Sequence, residues 1–261
     1  MTSFRERYGP WALVAGASVG LGEGFAEALA ERGLHLLLVA RRPEPLESLA
    51  GRLRNRHSVE VRTFAVDLAG PELGDALDRS IRELEVGLLV YNAAHSVIGP
   101  FIERPLQEQL RVIDVNCRGP LVLAHRLGRA MAARGRGGIL LMTSLAGSQG
   151  GPLIASYAAS KAFNLVLAEG LWDELGERGV DVLACRAGAT DTPGYAASHP
   201  RGTVALMEPA LVVREALAAL GKKPSVVPGA LNAFYAALLG RLLPRRTAVR
   251  IMGSATRRLY G

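Results

Sequence analysis

Short apolar segments alternate with helical patterns along most of this 261-residue sequence. Because helices separate the apolar segments, the strands that these segments form are expected to run parallel in a sheet covered on both faces. Such sheets bind ligands at the carboxyl ends of their strands. Glycine or polar residues stand at these ends, namely Gly16, Arg41, Asp67, Asn92, Ser144 and Gly188. The pattern predicts an α/β fold with a doubly wound parallel sheet of about seven strands.

The predicted elements fill 1–261 as a single domain. Strands are predicted at 11–15, 35–40, 59–65, 86–91, before and including Ser144, at 180–186, and around Val226 and Val227. Helices are predicted through Arg32, at 44–54, over 105–133 with an interruption near Gly119 and Pro120, at 156–178 and at 209–220. The aperiodic segment 187–207 is interpreted as a mobile loop or short helices over a substrate site.

A helical tail is predicted at about 231–261. It begins with an Ala- and Leu-rich helix over 231–243, which includes Arg241, and further basic residues follow, beginning with Arg245 and Arg246. This tail could cover a pocket, pack in an oligomer or touch a membrane surface, and packing is the simplest of these interpretations.

Composition narrows the class of protein. The net charge is +7 and the sequence pI is about 9.9, but basic and aromatic residues do not interleave as they do in RNA-binding proteins. We therefore expect a phosphate-bearing cofactor and no nucleic acid. The start is charged and no apolar run reaches about eighteen residues, which predicts a cytoplasmic protein without an integral membrane segment. Cys117 and Cys185 are expected to be reduced, and no metal site is predicted.

A glycine-rich turn follows the first predicted strand. Gly16, Gly20 and Gly22 come directly before an amphipathic helix. This order of strand, glycine turn and helix places backbone N–H groups and the positive end of a helix against a pyrophosphate. The second strand ends at Arg41 and Arg42, where an acidic residue would bind a ribose 2′-hydroxyl and arginine accommodates a 2′-phosphate. The sequence therefore favours NADP(H) over NAD(H).

Ser144, Tyr157 and Lys161 form the candidate catalytic group. Tyr157 and Lys161 stand four residues apart, so they share one face of a predicted helix. An ammonium beside a phenol lowers the tyrosine pKa from about 10 toward the working range of a general acid or base. Ser144 could polarise the same substrate oxygen. The alternative is an ordinary surface tyrosine beside a snorkelling lysine.

Several motifs together resemble the short-chain dehydrogenase/reductase family over nearly the whole chain. They are AGASVGLG at 15–22, NAA at 92–94, Asn116, and Ser144 with Tyr157 and Lys161. The resemblance implies a Rossmann-type fold in which Tyr157 transfers the proton and Ser144 orients the carbonyl or alcohol. It also implies that Lys161 binds the nicotinamide ribose and lowers the Tyr157 pKa, while Asn116 holds a water in the proton relay.

The resemblance also implies a set of cofactor-binding residues. Ser18 and Arg41 would contact the adenosine-side phosphate, Asp67 and Leu68 the adenine, and Thr192 the carboxamide. The full implied set is Gly16, Ser18, Gly20, Leu21, Gly22, Arg41, Arg42, Asp67, Leu68, Asn92, Ala93, Tyr157, Lys161, Thr190 and Thr192.

Three positions depart from the family pattern. Ala15 stands in place of the common threonine, and Ala94 in place of the glycine of the Asn-Ala-Gly motif. Residues 186–188, Arg-Ala-Gly, replace the usual turn with proline, so the loop that carries Thr190 and Thr192 is expected to be less rigid.

Within the family, four segments are similar to bacterial 7β-hydroxysteroid dehydrogenases. They are FRERYGPW, YNAAHS, the GATDTP turn and LGKKPSVVPGALN. This similarity implies a hydroxysteroid or oxosteroid substrate such as a bile acid. Alternatives are a broad carbonyl reductase of bulky apolar ketones or aldehydes, a non-catalytic NADP-binding sensor, and a basic surface-binding protein. The family commonly pairs the helices found here at 105–133 and 156–178, which predicts a homodimer or homotetramer.

Overall fold

A parallel sheet of seven strands forms the centre of the computed structural model, which describes residues 3–238 and 243–261. The strand order is β3-β2-β1-β4-β5-β6-β7. The strands are β1 Trp11–Ala15, β2 His35–Ala40, β3 Val61–Ala65, β4 Val86–Tyr91, β5 Gly137–Ser144, β6 Val180–Ala187 and β7 Ser225–Val226. The predicted doubly wound α/β fold is confirmed.

Helices cover both faces of this sheet. They are α1 Phe4–Tyr8, α2 Leu21–Ala30, α3 Pro43–Arg56, α4 Leu73–Ile81, α5 Leu106–Ile113, α6 Gly119–Arg134, α7 Ala155–Gly176, α8 Pro193–Ala196, α9 Pro209–Ala219, α10 Ala230–Ala237 and α11 Arg245–Tyr260. Short 3-10 turns lie at Phe101–Glu103 and Leu145–Ser148, and a π turn lies at Asp114–Arg118.

Two hydrophobic clusters, one on each face, hold these layers together. Leucines of α2 and α3 and valines of α9 pack on one face, while α4, α6 and α7 pack on the other. Every residue of β1 and β4 is buried, as expected of central parallel strands. Full burial of one such aliphatic side chain stabilises the fold by about 1.5–3 kcal/mol.

The direction in which successive strands are added to the parallel sheet reverses at β1. β2 and β3 extend from one side of β1, whereas β4 pairs with its other side and β5 to β7 continue outward. The carboxyl ends of β1 and β4 therefore border a crevice, the usual ligand position in a doubly wound sheet. Gly16 and Asn92 stand directly after these two ends.

Several predicted boundaries differ from the structure. β3 begins at Val61 rather than 59, and α1 was not predicted. The interruption in 105–133 is a π turn that ends where α6 begins, with Pro120 in the first turn of α6, where a missing N–H costs nothing.

The tail contains two helices, α10 and α11, instead of one helix followed by basic residues. Residues 239–242, including Arg241, lie outside the described residues. Among the residues that are described, no helix combines the length and the apolar character needed to cross a bilayer.

Candidate active site

A cleft of about 740 Å³ opens at the carboxyl edge of the sheet. Its volume lies within the range of roughly 300–1,000 Å³ that is usual for small-molecule and cofactor sites. The predicted residues that line it are Gly16, Ser18, Gly20, Leu21, Arg41, Arg42, Asp67, Leu68, Asn92, Ala93, Ser144, Tyr157, Lys161, Thr190 and Thr192. Two predicted residues, Gly22 and Asn116, lie behind this lining.

The glycine turn is built from positions that accept no side chain. Gly16 and Gly20 have φ values of 79° and 64°, and a Cβ on Gly16 would lie 2.6 Å from the Ala93 nitrogen. A Cβ on Gly22 would lie 2.0 Å from the Gly16 carbonyl oxygen. Gly22 therefore permits α2 to pack against the turn. It was predicted to bind the cofactor, but it does not line the cleft.

Asn92 braces this turn from the end of β4. Its Nδ2 donates to the Gly16 carbonyl at 3.0 Å, and the Asn92 and Ala93 amides donate to the Ala15 carbonyl at 2.9 Å. A backbone group of Ala15 thus makes this connection, so no threonine side chain is needed there. The first turn of α2 has no side-chain cap, and such a helix terminus attracts an anion.

Cationic side chains surround the end of the cleft that is next to β2 and β3. Arg41 and Arg42 are exposed at the end of β2. The Arg111 guanidinium donates to Asp67 Oδ2 at 2.9 Å, and the Ala69 amide donates to Asp67 Oδ1 at 3.1 Å. Burial raises the pKa of Asp67, but the Ala69 amide and the Arg111 and Arg41 charges outweigh it and lower the pKa overall. Asp67 is therefore ionised at neutral pH.

The candidate catalytic side chains meet where β5 ends and α7 begins. Ser144 Oγ accepts a hydrogen bond from the Ala146 amide at 3.1 Å. Lys161 Nζ donates to the Met142 carbonyl at 2.9 Å and lies 5.7 Å from the centroid of the Tyr157 ring. The hydrogen bond to Met142 uses one proton of the Lys161 ammonium, which has three, so the others can be donated to another acceptor.

Burial dominates the pKa values of this group. It lowers the pKa of Lys161 to about 8. It raises the pKa of Tyr157, and the opposing hydrogen bond with Ser144 does not offset it, while Tyr260 adds to the rise. The net direction for Tyr157 is thus opposite to the lowering expected from Lys161. The cause is that removing a phenolate from water outweighs its stabilisation by the hydrogen bond with Ser144.

Asn116 belongs to a buried polar network behind Tyr157. Its Oδ1 accepts from the His95 amide at 2.7 Å, and its Nδ2 donates to the His95 carbonyl at 2.8 Å and to Ser160 Oγ at 2.9 Å. Asn164 Nδ2 donates to the Asn116 carbonyl at 2.8 Å. The Asn164 Oδ1 atom is buried without a partner among the described residues. Sequence reasoning missed Ser160 and Asn164, although both lie on α7 near Lys161.

The loop at 187–207 and the tail close the other end of the cleft. Thr190 pairs with Met207 in a single bridge, and Thr192 Oγ1 caps α8 by accepting from the Tyr195 amide at 3.2 Å. Ser198 Oγ lies 3.3 Å from the Tyr260 hydroxyl, and the Arg201 amide donates to the Leu259 carbonyl at 2.7 Å. The predicted loop is therefore fastened to α11.

Other residues that line the cleft were missed by the sequence analysis. They include Arg111 of α5, Asn232 of α10 and Met252, Thr256 and Tyr260 of α11. The motifs carried no signal for them, since these residues lie far along the chain; only the hypothesis that the tail covers a pocket pointed to α10 and α11.

The fold and this cleft define a class, the Rossmann-type α/β proteins with a serine, a tyrosine and a lysine at the end of the central strands. A family model described as short chain dehydrogenase matches residues 10–201. The chain belongs to the short-chain dehydrogenase/reductase family, and it is an oxidoreductase of that family.

Known relatives agree with this assignment. The chain is 33% identical over 233 residues to a 7beta-hydroxysteroid dehydrogenase of Clostridium sardiniense, covering 88% of this chain and 89% of the relative. A structure from a study of 7beta-hydroxysteroid dehydrogenase stereoselectivity superposes with a TM-score of 0.90 at 31% identity, covering 96% and 99% of the two chains. A short-chain dehydrogenase from Sphingobium yanoikuyae in complex with NADPH gives 0.75 at 30% identity, covering 90% and 96%.

Proposed function

We propose that this protein interconverts a ketone and a secondary alcohol by hydride transfer with NADP(H). The observation that carries the proposal is the convergence of Ser144, Tyr157 and Lys161 in the cleft that also contains the glycine turn. The residues present fit this cofactor, because an uncapped first turn of α2 and two exposed arginines can bind its phosphate groups. When bound, NADP(H) supplies or accepts the hydride.

Tyr157, Ser144 and Lys161 have separate roles in the proposed reaction. In the direction of reduction, the Tyr157 hydroxyl gives its proton to the substrate oxygen and the Ser144 hydroxyl holds that oxygen in place. Lys161 is held by the Met142 carbonyl, which leaves ammonium protons for a ribose hydroxyl. The Tyr157 hydroxyl then regains a proton through the polar groups around Asn116. Asn164 holds Asn116 in place, because its Nδ2 donates to the Asn116 carbonyl.

NADP(H) is preferred over NAD(H) in this proposal because of Arg41 and Arg42. A guanidinium matches a 2′-phosphate in charge and geometry, and no acidic side chain stands at the end of β2 to bind a 2′-hydroxyl. The relative of known structure that binds NADPH supports the same choice.

A hydroxysteroid or oxosteroid, such as a bile acid, is the proposed substrate. The support is the similarity to 7beta-hydroxysteroid dehydrogenases over most of the chain and the apolar side chains in the cleft, among them Ile98, Ile154 and Met252. The alternative is a broad reductase of bulky apolar ketones or aldehydes, which the same apolar wall would accommodate. A non-catalytic NADP sensor is the weaker hypothesis, because the proposed catalytic residues are all present.

Turnover of NADPH with a panel of ketones tests the proposal. The panel contains 3-, 7-, 12- and 17-oxo steroids and small aryl ketones, with NADH in parallel. Oxidation of NADPH by the 7-oxo steroid alone supports the steroid hypothesis, and oxidation by many bulky ketones supports the alternative. Tight NADPH binding without any turnover favours the sensor.

Tyr157→Phe tests the mechanism separately from the substrate. This variant should bind NADPH as the wild type does but lose about 10²–10⁴-fold in kcat, the usual contribution of a general acid. Tyr235→Phe is the control, since Tyr235 is half exposed on α10 and does not line the cleft. Full activity of Tyr157→Phe would contradict the proposed role.

Two or four copies of the chain are proposed to assemble through α5, α6 and α7. These helices expose large apolar side chains, namely Leu106, Leu110, Ile113, Leu121, Phe163, Val166 and Trp172. Exposed apolar surface of this extent usually marks an interface. The cytoplasmic location predicted from the sequence stays a prediction.

A further inference from the structure

Positive charge is concentrated in one part of this chain. Residues 216–261 contain eight of the 31 lysine and arginine residues and none of the 24 aspartate and glutamate residues. Residues 1–215 contain 23 basic and 24 acidic residues, so they are almost neutral as a group. The net charge of +7 therefore originates in 216–261, and a field of a single sign attracts an anionic partner.

Helix α10 adds exposed apolar surface to this charged segment. None of its residues is buried. Leu231 is 64% exposed, Phe234 63% and Tyr235 50%, and the rings of Phe234 and Tyr235 lie 5.8 Å apart. One exposed leucine is ordinary, but three large apolar side chains within five residues of a helix that buries nothing indicate a surface that meets an apolar partner.

Helix α11 is amphipathic in a different way. Ala248, Gly253 and Thr256 face the protein and are buried. Arg246 and Arg250 are exposed on the other side, and Ile251 is 43% exposed beside them. Neither arginine forms an ion pair with another residue in the described part of the chain. Their charges are thus available to a partner outside this chain.

Both helices contribute to the lining of the same cleft. Asn232 of α10 lines it, and so do Met252 and Tyr260 of α11. The exposed residues on these helices therefore belong to elements that also form part of the cleft wall. We call this set the tail surface, and it consists of Leu231, Phe234, Tyr235, Arg246, Arg250 and Ile251.

We propose that the tail surface docks this protein on a membrane that contains anionic lipids, with the cleft mouth next to the bilayer. Aromatic and leucine side chains enter the boundary between headgroups and acyl chains, and arginines bind the phosphates of anionic lipids. An apolar ketone or alcohol dissolved in the membrane then reaches the cleft without crossing much water.

Other partners match the tail surface less well. A nucleic acid satisfies the arginines but leaves Leu231 and Phe234 in water. A second copy of the chain covers the apolar side chains, but a symmetric contact brings the two positively charged segments together, and like charges repel. Anionic lipid satisfies both the charge and the apolar side chains.

Vesicle co-sedimentation of the full chain tests the proposal. The vesicles consist of phosphatidylcholine alone or of phosphatidylcholine with phosphatidylglycerol. The wild type should bind the anionic vesicles, and the bound fraction should fall as NaCl is added. Arg246→Glu/Arg250→Glu should weaken this binding by roughly thirtyfold or more, and Leu231→Ser/Phe234→Ser should weaken it at unchanged net charge.

A matched variant controls for total charge. Arg79 and Arg82 are exposed next to each other, on and just after α4, which follows β3 at the opposite edge of the sheet from the tail. Arg79→Glu/Arg82→Glu changes the net charge as much as the tail variant does and should bind vesicles as the wild type does. Circular dichroism checks that each variant is folded.

Three outcomes would overturn the proposal. The first is a wild type that does not bind anionic vesicles. The second is a control variant that loses binding as fully as the tail variants do. The third is a Leu231→Ser/Phe234→Ser variant that binds the vesicles as tightly as the wild type does. If its mass by light scattering is unchanged, only an electrostatic contact remains. If its mass is smaller, the apolar side chains belong to a contact with a second copy. Because vesicle binding is measured without substrate or cofactor, a failure here leaves the proposed enzyme activity untouched.

Discussion

Lys161 makes the stability of this protein depend on pH. The residue is 3% exposed, and its folded pKa of about 8 lies below its ordinary value of 10.5. Below pH 8 both the folded and the unfolded state hold the proton, and the buried charge destabilises the fold. Between about 8 and 10.5 the unfolded state binds more protons than the folded state, so the contribution of this residue to stability rises with pH.

Lys161→Met should therefore be more stable than the wild type below pH 8, by an amount on the order of 3 kcal/mol. The difference should shrink as the pH rises from about 8 to 10.5. Urea unfolding at both ends of this window measures it as a difference in the free energy of unfolding. A difference that stays constant across the window would contradict the burial of a titrating Lys161.

Arg41 should decide between the two nicotinamide cofactors. A charge-assisted hydrogen bond contributes about 1.5–3 kcal/mol, so Arg41→Ala should raise the KM for NADPH roughly tenfold or more. The KM for NADH should stay unchanged, because that cofactor has no 2′-phosphate. Arg79→Ala is the control, since this arginine is exposed on α4. An equal rise in KM for both cofactors would show that Arg41 acts on the fold instead.

The residues of the cleft that could be predicted from the sequence are those that lie close to one another along the chain. Tyr157 and Lys161 lie on one helix, and the glycine turn follows one strand, so neighbours along the chain remain neighbours in space. Arg111 and Asn164 could not be predicted in the same way. Arg111 reaches Asp67 from 44 positions away along the chain, and Asn164 reaches Asn116 from 48 positions away. Such pairs depend on how helices pack.

The junction of β5 and α7 controls the distance between Ser144 and the other two proposed catalytic residues, Tyr157 and Lys161. Gly147 lies in this junction, and a Cβ there would come within 2.7 Å of the Lys161 carbonyl carbon and 2.8 Å of the Ala162 nitrogen. Because these are backbone atoms, α7 would have to move away from β5. Gly147→Ala should thus shift Tyr157 and Lys161 relative to Ser144.

Gly147→Ala should lower stability by about 1–3 kcal/mol, as overpacking does, and should reduce kcat well beyond the loss of folded protein. Gly150→Ala is the matched control three residues away, because a Cβ on Gly150 would meet nothing within 4 Å. Thermal unfolding and kcat are measured for both variants. If the two variants behave alike, the close approach of α7 is not what positions the catalytic residues.

Element boundaries are predictable where one face of an element is buried throughout. β2 and β4 begin and end as predicted because their apolar runs are bounded by polar residues. The π turn at Asp114–Arg118 leaves no mark in the sequence, since its residues suit an ordinary helix equally well. The tail was predicted to be helical, but α11 was not predicted as a separate helix, because its buried residues are small or polar and basic side chains dominate its pattern.

Two apolar surfaces of this molecule should have different partners. One lies on α5 to α7, where Val166 is 68% exposed, and the other is the tail surface. A charge at the centre of a contact between copies costs several kcal/mol, so Val166→Glu should reduce the oligomer to a smaller species by multi-angle light scattering while leaving vesicle binding intact. Phe234→Glu should do the reverse, losing vesicle binding at unchanged mass. A Val166→Glu variant with the mass of the wild type would refute the proposed assembly through α7, and a Phe234→Glu variant of lower mass would place the tail between copies.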